Sequence, residues 1–450
     1  MLNRGEIEYR FDSNYYKPNL VRLFSVLKNN KIAVVKLDSI STRISDAPHE
    51  RPNFSEFEEV PCVMIEHLKE DGILSENPRF ITKSYHEKLK STQLKDNDLL
   101  MSRIGVTTGV TSLVNEKFIG ANISGNITLI RLKDEYIGLS RYVLNYLNSD
   151  FFQKYIKRIL SNSARDFLTV SKIKNLPVVL LNERIRNEIT DKIEGAFAEK
   201  KAKETEAREK LASVDALILD ALGITLPKRE ANTLDKRIFF TKSSDISSGR
   251  FDPDALHPER INAIKAIQSS KYPIDYLHSV AKFIRIPTTE NISNSRYVGL
   301  ENIQSKTGIF IPKAEVEEFG TANIFKKGQI LFSKLRPYLN KVFHAGFDGV
   351  CSTEFYVLDG FRISNNYLAC FLRTSLIVSQ TKRLMTGNTL PRLQTKDVES
   401  LQIPVPPPEV QAEIAGRVEK IYAEAKLLRE QGAEILKQAK AEVEQMILGA

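Results

Sequence analysis

Cysteine is scarce in this 450-residue chain: there are three, Cys62, Cys351 and Cys370, and no two form a CxxC pair. Their odd number and wide spacing argue against a disulfide framework and against a cysteine-ligated zinc site. No stretch approaches the roughly 20 apolar residues of a membrane span, and no apolar run follows Met1 as in a signal peptide. These absences predict a protein of the reducing cytoplasm.

The common catalytic fingerprints are missing as well. The chain has no GxxxxGK[ST] phosphate loop, no GxGxxG, no HExxH and no Asn/Asp-Pro-Pro-aromatic motif. Its six histidines show no metal-ligand spacing, and no carboxylate pair stands out for acid–base chemistry. We therefore expect no catalytic residue, no metal site and no cofactor bound by this chain. A methyltransferase or nuclease with an atypical motif stays open as an alternative.

Basic residues, in contrast, are in excess. Lysine and arginine number 65 against 56 acids, which gives a net charge of +9 and a pI near 9.1. This balance favours a polyanion or an acidic partner. The apolar fraction of 42% is that of an ordinary globular protein, and the length allows two to four domains.

Segments of the first half of the chain return in the second half. Arg10-Phe11-Asp12 returns as Arg250-Phe251-Asp252, a shift of 240 positions (251 − 11). The sequence LKDNDLLMSRI at 94–104 matches FKKGQILFSKL at 325–335. A period above about 200 residues is too long for a solenoid repeat. The pattern predicts two homologous units with a common scaffold and different loops.

Each copy reads as a globular part followed by a long helix. Short β-branched runs bounded by Asn, Gly and Asp predict strands in the globular parts, so the predicted fold class is α+β. The expected boundaries are a first domain at 1–180, a helix at 181–224, a linker at 225–250, a second domain at 251–406 and a second helix at 407–450.

The two predicted helices carry one narrow apolar stripe each. Asn182 is the expected N-cap and Gly223 the expected stop of the first, while Pro406-Pro407-Pro408 precedes the second. A helix of roughly 40 residues with such a stripe requires a partner stripe, and the other copy is the simplest one, which predicts an antiparallel coiled coil. Two ordinary amphipathic helices on separate cores are the alternative.

Two runs in the second copy are basic and free of acids. Residues 326–341 and 373–396 each hold five lysines or arginines and no aspartate or glutamate. Lysine and arginine neutralise phosphates, and Arg, Asn, Ser and Thr can reach base edges. These loops therefore predict nucleic-acid binding, with a solvated basic face as the alternative.

Several of these motifs resemble those of a known family. The segments LKDNDLLMSR and FKKGQILFSK resemble the L-K-x-G-D-ϕ-L-ϕ-S-[RK] segment of target recognition domains. The stretch from Gly387 to Ile414 resembles their junction with a conserved helix, although the usual adjacent Glu-Gln is absent. In this order the motifs resemble the specificity subunit of type I restriction-modification systems over nearly the whole chain.

The resemblance implies a fold and a function. Two target recognition domains would be separated by the antiparallel helices with pseudo-twofold symmetry, each reading half of a bipartite double-stranded DNA site. The chain would be non-catalytic. Its helices would dock two modification subunits, which bring S-adenosylmethionine, and two restriction/translocase subunits, which bring ATP and Mg, could join. A protein-binding adaptor without DNA specificity is the alternative.

The loops and the resemblance together give the candidate site residues. The candidates for DNA binding are Ser102, Arg103, Asn162, Arg165, Lys334, Arg336, Tyr338, Lys341, Asn388 and Arg392. The candidates for partner binding are the helix-stripe residues Ile189, Ile193, Ile414 and Val418.

Overall fold

The computed structural model describes residues 33–48, 50, 52–160, 167–227, 238–240, 252–289, 296–312, 320–386 and 391–449. The first Arg-Phe-Asp motif and most of the expected linker at 225–250 lie outside these ranges. The chain divides into two compact units. Unit 1 is Met1–Glu204 with Arg429–Ala450, and unit 2 is Thr205–Leu428. Each unit thus joins one globular part to a portion of both long helices.

Unit 1 is built on an antiparallel sheet of four strands, in the order Ser41–Asp46 (β2), Ile127–Leu132 (β10), Leu99–Ser102 (β7) and Thr111–Leu113 (β8). Successive residues of β7 point to opposite faces, so Leu99 and Met101 enter one apolar core and Leu100 enters another. The strands are β1 (Ala33–Lys36), β2 (Ser41–Asp46), β3 (Val60–Val63), β4 (Leu68–Lys69), β5 (Gly72–Ile73), β6 (Arg79–Ile81), β7 (Leu99–Ser102), β8 (Thr111–Leu113), β9 (Asn122–Ile123), β10 (Ile127–Leu132) and β11 (Pro177–Leu180).

Four short helices precede the long one, and the last three of them pack in the apolar core on one face of this sheet. They are α1 (Lys83–Lys88), α2 (Ser140–Leu147), α3 (Asp150–Leu160) and α4 (Val170–Lys174), followed by α5 (Glu183–Leu222). As expected, the Asn182 side chain accepts the Ile185 N–H at 3.0 Å, and Gly223 ends α5 with a left-handed φ of 69°.

Unit 2 repeats this order in its central sheet, with Lys282–Ile284 (β13), Phe355–Asp359 (β20), Ile330–Ser333 (β17) and Val342–His344 (β18). Its strands are β12 (Ile274–Tyr276), β13 (Lys282–Ile284), β14 (Pro287–Thr288), β15 (Arg296–Val298), β16 (Ala322–Phe325), β17 (Ile330–Ser333), β18 (Val342–His344), β19 (Gly349–Ser352), β20 (Phe355–Asp359) and β21 (Gln402–Pro404). Its helices are α6 (Pro258–Gln268), α7 (Leu277–Val280), α8 (Asn365–Leu372), α9 (Ser375–Thr381), α10 (Thr395–Glu399) and α11 (Pro408–Gly449). The repeat read from the sequence is therefore a repeat of structure.

Equivalent tyrosines tie the same two elements together in each unit. The Tyr142 hydroxyl of α2 donates to the Val179 carbonyl of β11 at 2.5 Å. The Tyr367 hydroxyl of α8 donates to the Pro404 carbonyl of β21 at 2.8 Å. Burial raises the pKa of both phenols, so each remains a hydrogen-bond donor at neutral pH.

The long helices run antiparallel within each unit. In unit 1, Lys192 contacts Glu442 at 2.5 Å and Lys203 contacts Gln431 at 3.1 Å, so one residue number falls as the other rises. In unit 2, Lys210 of α5 contacts Glu424 of α11 at 2.9 Å. The antiparallel pairing expected from the stripes is present in both units. None of the helices in the described ranges is long and apolar enough to cross a membrane.

Candidate nucleic-acid interface

The hairpin between β17 and β18 presents an exposed loop in unit 2. Residues 334–341 form it, with a 3-10 turn at Pro337–Leu339 flanked by left-handed Arg336 (φ 49°) and Asn340 (φ 47°). Such backbone conformations are uncommon for residues other than glycine and often mark functional positions. The side chains of Arg336 and Tyr338 are exposed, so this loop offers a cation and an aromatic ring to solvent.

A second loop is held against the first by backbone hydrogen bonds. The Arg336 N–H donates to the Pro391 carbonyl at 3.1 Å, and the Leu393 N–H donates to the Lys334 carbonyl at 3.0 Å. This pairing brings together three residues that the sequence predicted separately: Lys334, Arg336 and Arg392. Asn388, predicted in the same loop, lies outside the described residues.

Lys334 is half-buried at the base of the hairpin. Its Nζ donates to the Thr353 carbonyl at 2.7 Å and lies 4.7 Å from the centroid of the Tyr356 ring. Burial is the main reason that the pKa of Lys334 is lowered, and the nearby Arg285 and Arg392 lower it further while Glu354 opposes them. Lys334 therefore lies within reach of the charges of Glu354, Arg285 and Arg392.

Arg392 and Arg285 complete this cationic group. The Arg392 guanidinium binds the Glu354 carboxylate through two parallel contacts, Nε–Oε2 at 2.9 Å and Nη2–Oε1 at 2.6 Å. Arg285 follows β13 and its side chain is exposed. Arg285 was not predicted from the sequence, because it stands outside both acid-free runs and only the strand pairing brings it to the hairpin.

Lys341 is engaged inside unit 2. Its Nζ donates to the Leu300 carbonyl at 2.7 Å, and burial lowers the pKa of its ammonium group. The side chain is only partly exposed. Its contact with DNA stays a prediction, and its observed contact fixes the end of the hairpin loop.

Unit 1 has the same hairpin between β7 and β8, but its predicted residues are buried. The Ser102 hydroxyl donates to the Ile104 carbonyl at 3.5 Å. Arg103 is 3% exposed; its Nε donates to the Leu168 carbonyl at 3.0 Å, and its guanidinium pairs with Asp46. This placement revises their expected role: both side chains are used to hold the hairpin, and neither reaches the surface.

Two candidates of unit 1 remain. Asn162 and Arg165 lie outside the described residues. The tip of the hairpin carries Val106, whose side chain is fully exposed. Unit 1 therefore presents an apolar hairpin tip where unit 2 presents Arg336 and Tyr338.

The four helix residues predicted to bind partner subunits are core residues. Ile189 and Ile193 are buried in an apolar cluster of unit 1, and Ile414 and Val418 in one of unit 2. Their side chains already pack within this chain, so they cannot form an outward docking surface. This corrects their expected role: because the apolar stripe is buried in the core of each unit, these side chains are not exposed for contact with another protein. Within the described ranges, no group of three or more metal-ligating side chains was found.

Comparison with known proteins identifies the segment that contains the hairpin. Residues 267–437 match the family described as Type I restriction modification DNA specificity domain. A curated relative, the Type I restriction enzyme EcoDI specificity subunit of Escherichia coli, is 28% identical over 190 residues, which are 39% of this chain and 42% of that protein. The chain thus spans about two fifths of the length of the curated relative that it matches.

Two solved structures are similar over most of the chain. One was described under the words "Structural basis underlying complex assembly and conformational transition of the type I R-M system". It is 14% identical with a TM-score of 0.47, and the match covers 92% of this chain and 96% of the solved chain. The other is the HsdS subunit from Thermoanaerobacter tengcongensis, 14% identical with a TM-score of 0.36, covering 93% and 96%. Over residues 267–437, the family match confirms the resemblance that the motifs of the second copy predicted.

Proposed function

We propose, from the premise that residues 267–437 form a type I restriction modification DNA specificity domain, that this chain is the DNA-reading subunit of such a system. Each unit contacts double-stranded DNA with its hairpin loop and the loop beside it, and together they read a bipartite site. The observation that carries this proposal is the paired loop of unit 2, which gathers Arg285, Lys334, Arg336 and Arg392 within the matched segment.

The loops suit both parts of DNA recognition. Cations at the base of the hairpin can neutralise phosphates, which supplies affinity independent of sequence. The exposed Arg336 can bind a guanine edge through two hydrogen bonds, and Tyr338 offers a flat ring for base or sugar contacts. A rigid hairpin with different loop residues in each unit would give two readers with different targets.

Catalysis belongs to other subunits in this proposal. Two modification subunits would bring S-adenosylmethionine and the methyl transfer, and two restriction/translocase subunits would bring ATP and Mg, all in the cytoplasm. This chain would bind none of these cofactors. The partners would dock on exposed faces of α5 and α11, since the apolar stripes of these helices are already packed inside the units.

Methylome sequencing tests the proposed function. Genomes of a host with this gene, without it, and with the gene returned are compared for methylated adenines. We expect one bipartite motif to vanish with the gene and to return with it. An unchanged methylome, together with no affinity of the purified chain for duplex DNA, would instead favour a protein-binding adaptor.

Replacing Arg336 tests the hairpin as a reader. Asn tolerates a left-handed backbone better than most residues, so Arg336→Asn removes the charge with little strain. If Arg336 contacts a base, we expect discrimination against a changed base pair to fall by roughly 1–3 kcal/mol. If it contacts a phosphate, we expect the salt slope, which is the slope of the logarithm of the binding constant against the logarithm of the salt concentration, to fall in magnitude by about one. Fluorescence anisotropy with matched duplexes at several NaCl concentrations measures both.

The control is Arg362→Asn, which removes an exposed arginine just beyond the far end of β20. If both variants bind like the parent at every salt concentration, the hairpin of unit 2 is not the DNA surface.

A further inference from the structure

The base of the hairpin is the same backbone structure in both units. The Arg103 N–H donates to the Asn126 carbonyl at 3.1 Å, as the Lys334 N–H donates to Glu354 at 2.8 Å. The Arg103 carbonyl accepts from Leu168 at 3.0 Å, as the Lys334 carbonyl accepts from Leu393 at 3.0 Å. Arg103 and Lys334 are therefore equivalent residues, and so are Asn126 and Glu354. The residues that precede the two leucines, Phe167 and Arg392, form the third equivalent pair.

The strand register adds a fourth equivalent pair. In unit 1, Ile44 of β2 pairs with Ile130, which pairs with Leu99. In unit 2, Phe283 of β13 pairs with Leu358, which pairs with Ile330. Asp46 stands two residues beyond Ile44 at the end of β2, and Arg285 stands two residues beyond Phe283, directly after the end of β13. The two residues are therefore equivalent in register.

The four positions carry different net charges in the two units. Unit 1 has Asp46, Arg103, Asn126 and Phe167, with Arg103 paired to Asp46 and 4.4 Å from the centroid of the Phe167 ring. One cation and one anion cancel.

Unit 2 has Arg285, Lys334, Glu354 and Arg392 in those places, so three cations and one anion leave +2. Asp46 and Arg103 are in contact in unit 1, and in unit 2 the charge of Arg285 is close enough to contribute to the lowered pKa of Lys334. Two like charges side by side at a half-buried base repel unless an anion stands between them.

We propose that Arg285, Lys334 and Arg392 form a phosphate-binding site for the DNA backbone in unit 2, and that unit 1 has no such site at the equivalent positions. This inference rests on the proposed function, because it takes the bound polyanion to be duplex DNA. The two units would therefore contribute unequally to DNA affinity. At the hairpin base, unit 2 contributes binding that weakens as the salt concentration rises. In unit 1 the Arg103 guanidinium at this place is neutralised by Asp46.

The test gives unit 2 the charge pattern of unit 1. Arg285→Asp removes one cation and supplies a carboxylate that neutralises Lys334. Binding to a duplex of random sequence is measured by anisotropy between 50 and 300 mM NaCl, with Arg362→Asp as a control of equal charge change. Since each neutralised phosphate contributes about 0.9 to the salt slope, we expect the slope of Arg285→Asp to fall by about two, with that of Arg362→Asp close to the parent. Arg285→Lys should retain the parent slope.

The outcomes separate this inference from the function on which it rests. If the parent binds the duplex and the slopes of Arg285→Asp and Arg362→Asp are equal, the phosphate site is refuted while the proposed function stands. If the parent shows no duplex affinity at any salt concentration, both are refuted. A fall of the slope confined to Arg285→Asp, with an unchanged melting temperature, supports the site.

Discussion

Replacing Ile414 and Val418 together with Asp is expected to unfold unit 2. Both side chains are 1% exposed in its apolar core. Truncating a buried aliphatic residue costs roughly 2–5 kcal/mol, and an unpaired carboxylate in the same place adds a desolvation cost. Two such changes exceed about 5 kcal/mol, which is the lower end of the stability of a typical domain. Circular dichroism during thermal unfolding measures the loss.

A matched control lies on the same helix. Leu427→Asp makes the same kind of change at a side chain that is 54% exposed, and we expect the melting temperature to change little. Ile189 and Ile193 are the equivalents of Ile414 and Val418 (414 − 189 = 225, 418 − 193 = 225), so their double replacement should damage unit 1 in the same way. A double variant of either pair that melts like the parent would show that the stripe is not the core.

The second large effect is expected at the hairpin of unit 1. Arg103→Met removes a guanidinium that pairs with Asp46 and donates to the Leu168 carbonyl. Removing one partner of a buried pair costs about 3–5 kcal/mol, and the Asp46 side chain, 28% exposed, retains some hydration. We therefore expect a loss of roughly 2–4 kcal/mol. In urea unfolding, the urea concentration at the midpoint should fall, while the slope of the unfolding free energy against urea concentration should stay the same.

The equivalent change in unit 2 provides the comparison. Lys334→Met removes the hydrogen bond to Thr353, the contact with the Tyr356 ring and the attraction of Glu354, and it relieves repulsion from Arg285 and Arg392. Because these effects partly cancel, we expect a cost of about 1 kcal/mol. Arg103→Lys keeps the charge but loses the planar guanidinium, so its loss of stability should lie between those of Arg103→Met and Lys334→Met. Equal losses for Arg103→Met and Lys334→Met would contradict a difference in electrostatics between the two hairpins.

The helices and the repeat could be read from the sequence because both depend on local periodicity. The Asn182 cap, the Gly223 stop and the buried stripe follow from spacing alone. What the stripe contacts does not, since a row of apolar residues has the same spacing whether it packs against its own chain or another protein. Ile189 and Ile414 were therefore predicted as interface residues and are core residues.

The charged residues of the site were less predictable for a different reason. Arg103 reads as an exposed cation in the sequence, because the acid that neutralises it is 57 positions away, at Asp46. Arg285 stands 49 positions before Lys334 (334 − 285) and joins it only through the pairing of β13, β20 and β17. Strand register decides both cases, and register cannot be deduced from charge pattern.

The division of the long helices has a consequence for synthesis on the ribosome. Unit 2 is one continuous segment, Thr205–Leu428, whereas unit 1 needs Arg429–Ala450 as well. Ala439, Val443 and Ile447 from this last segment are buried in the core of unit 1. Domains usually fold in the order in which they emerge. Here the first globular part to emerge is the last to be completed, and until residues 429–450 have been synthesised it exposes the apolar surface that these three residues will cover.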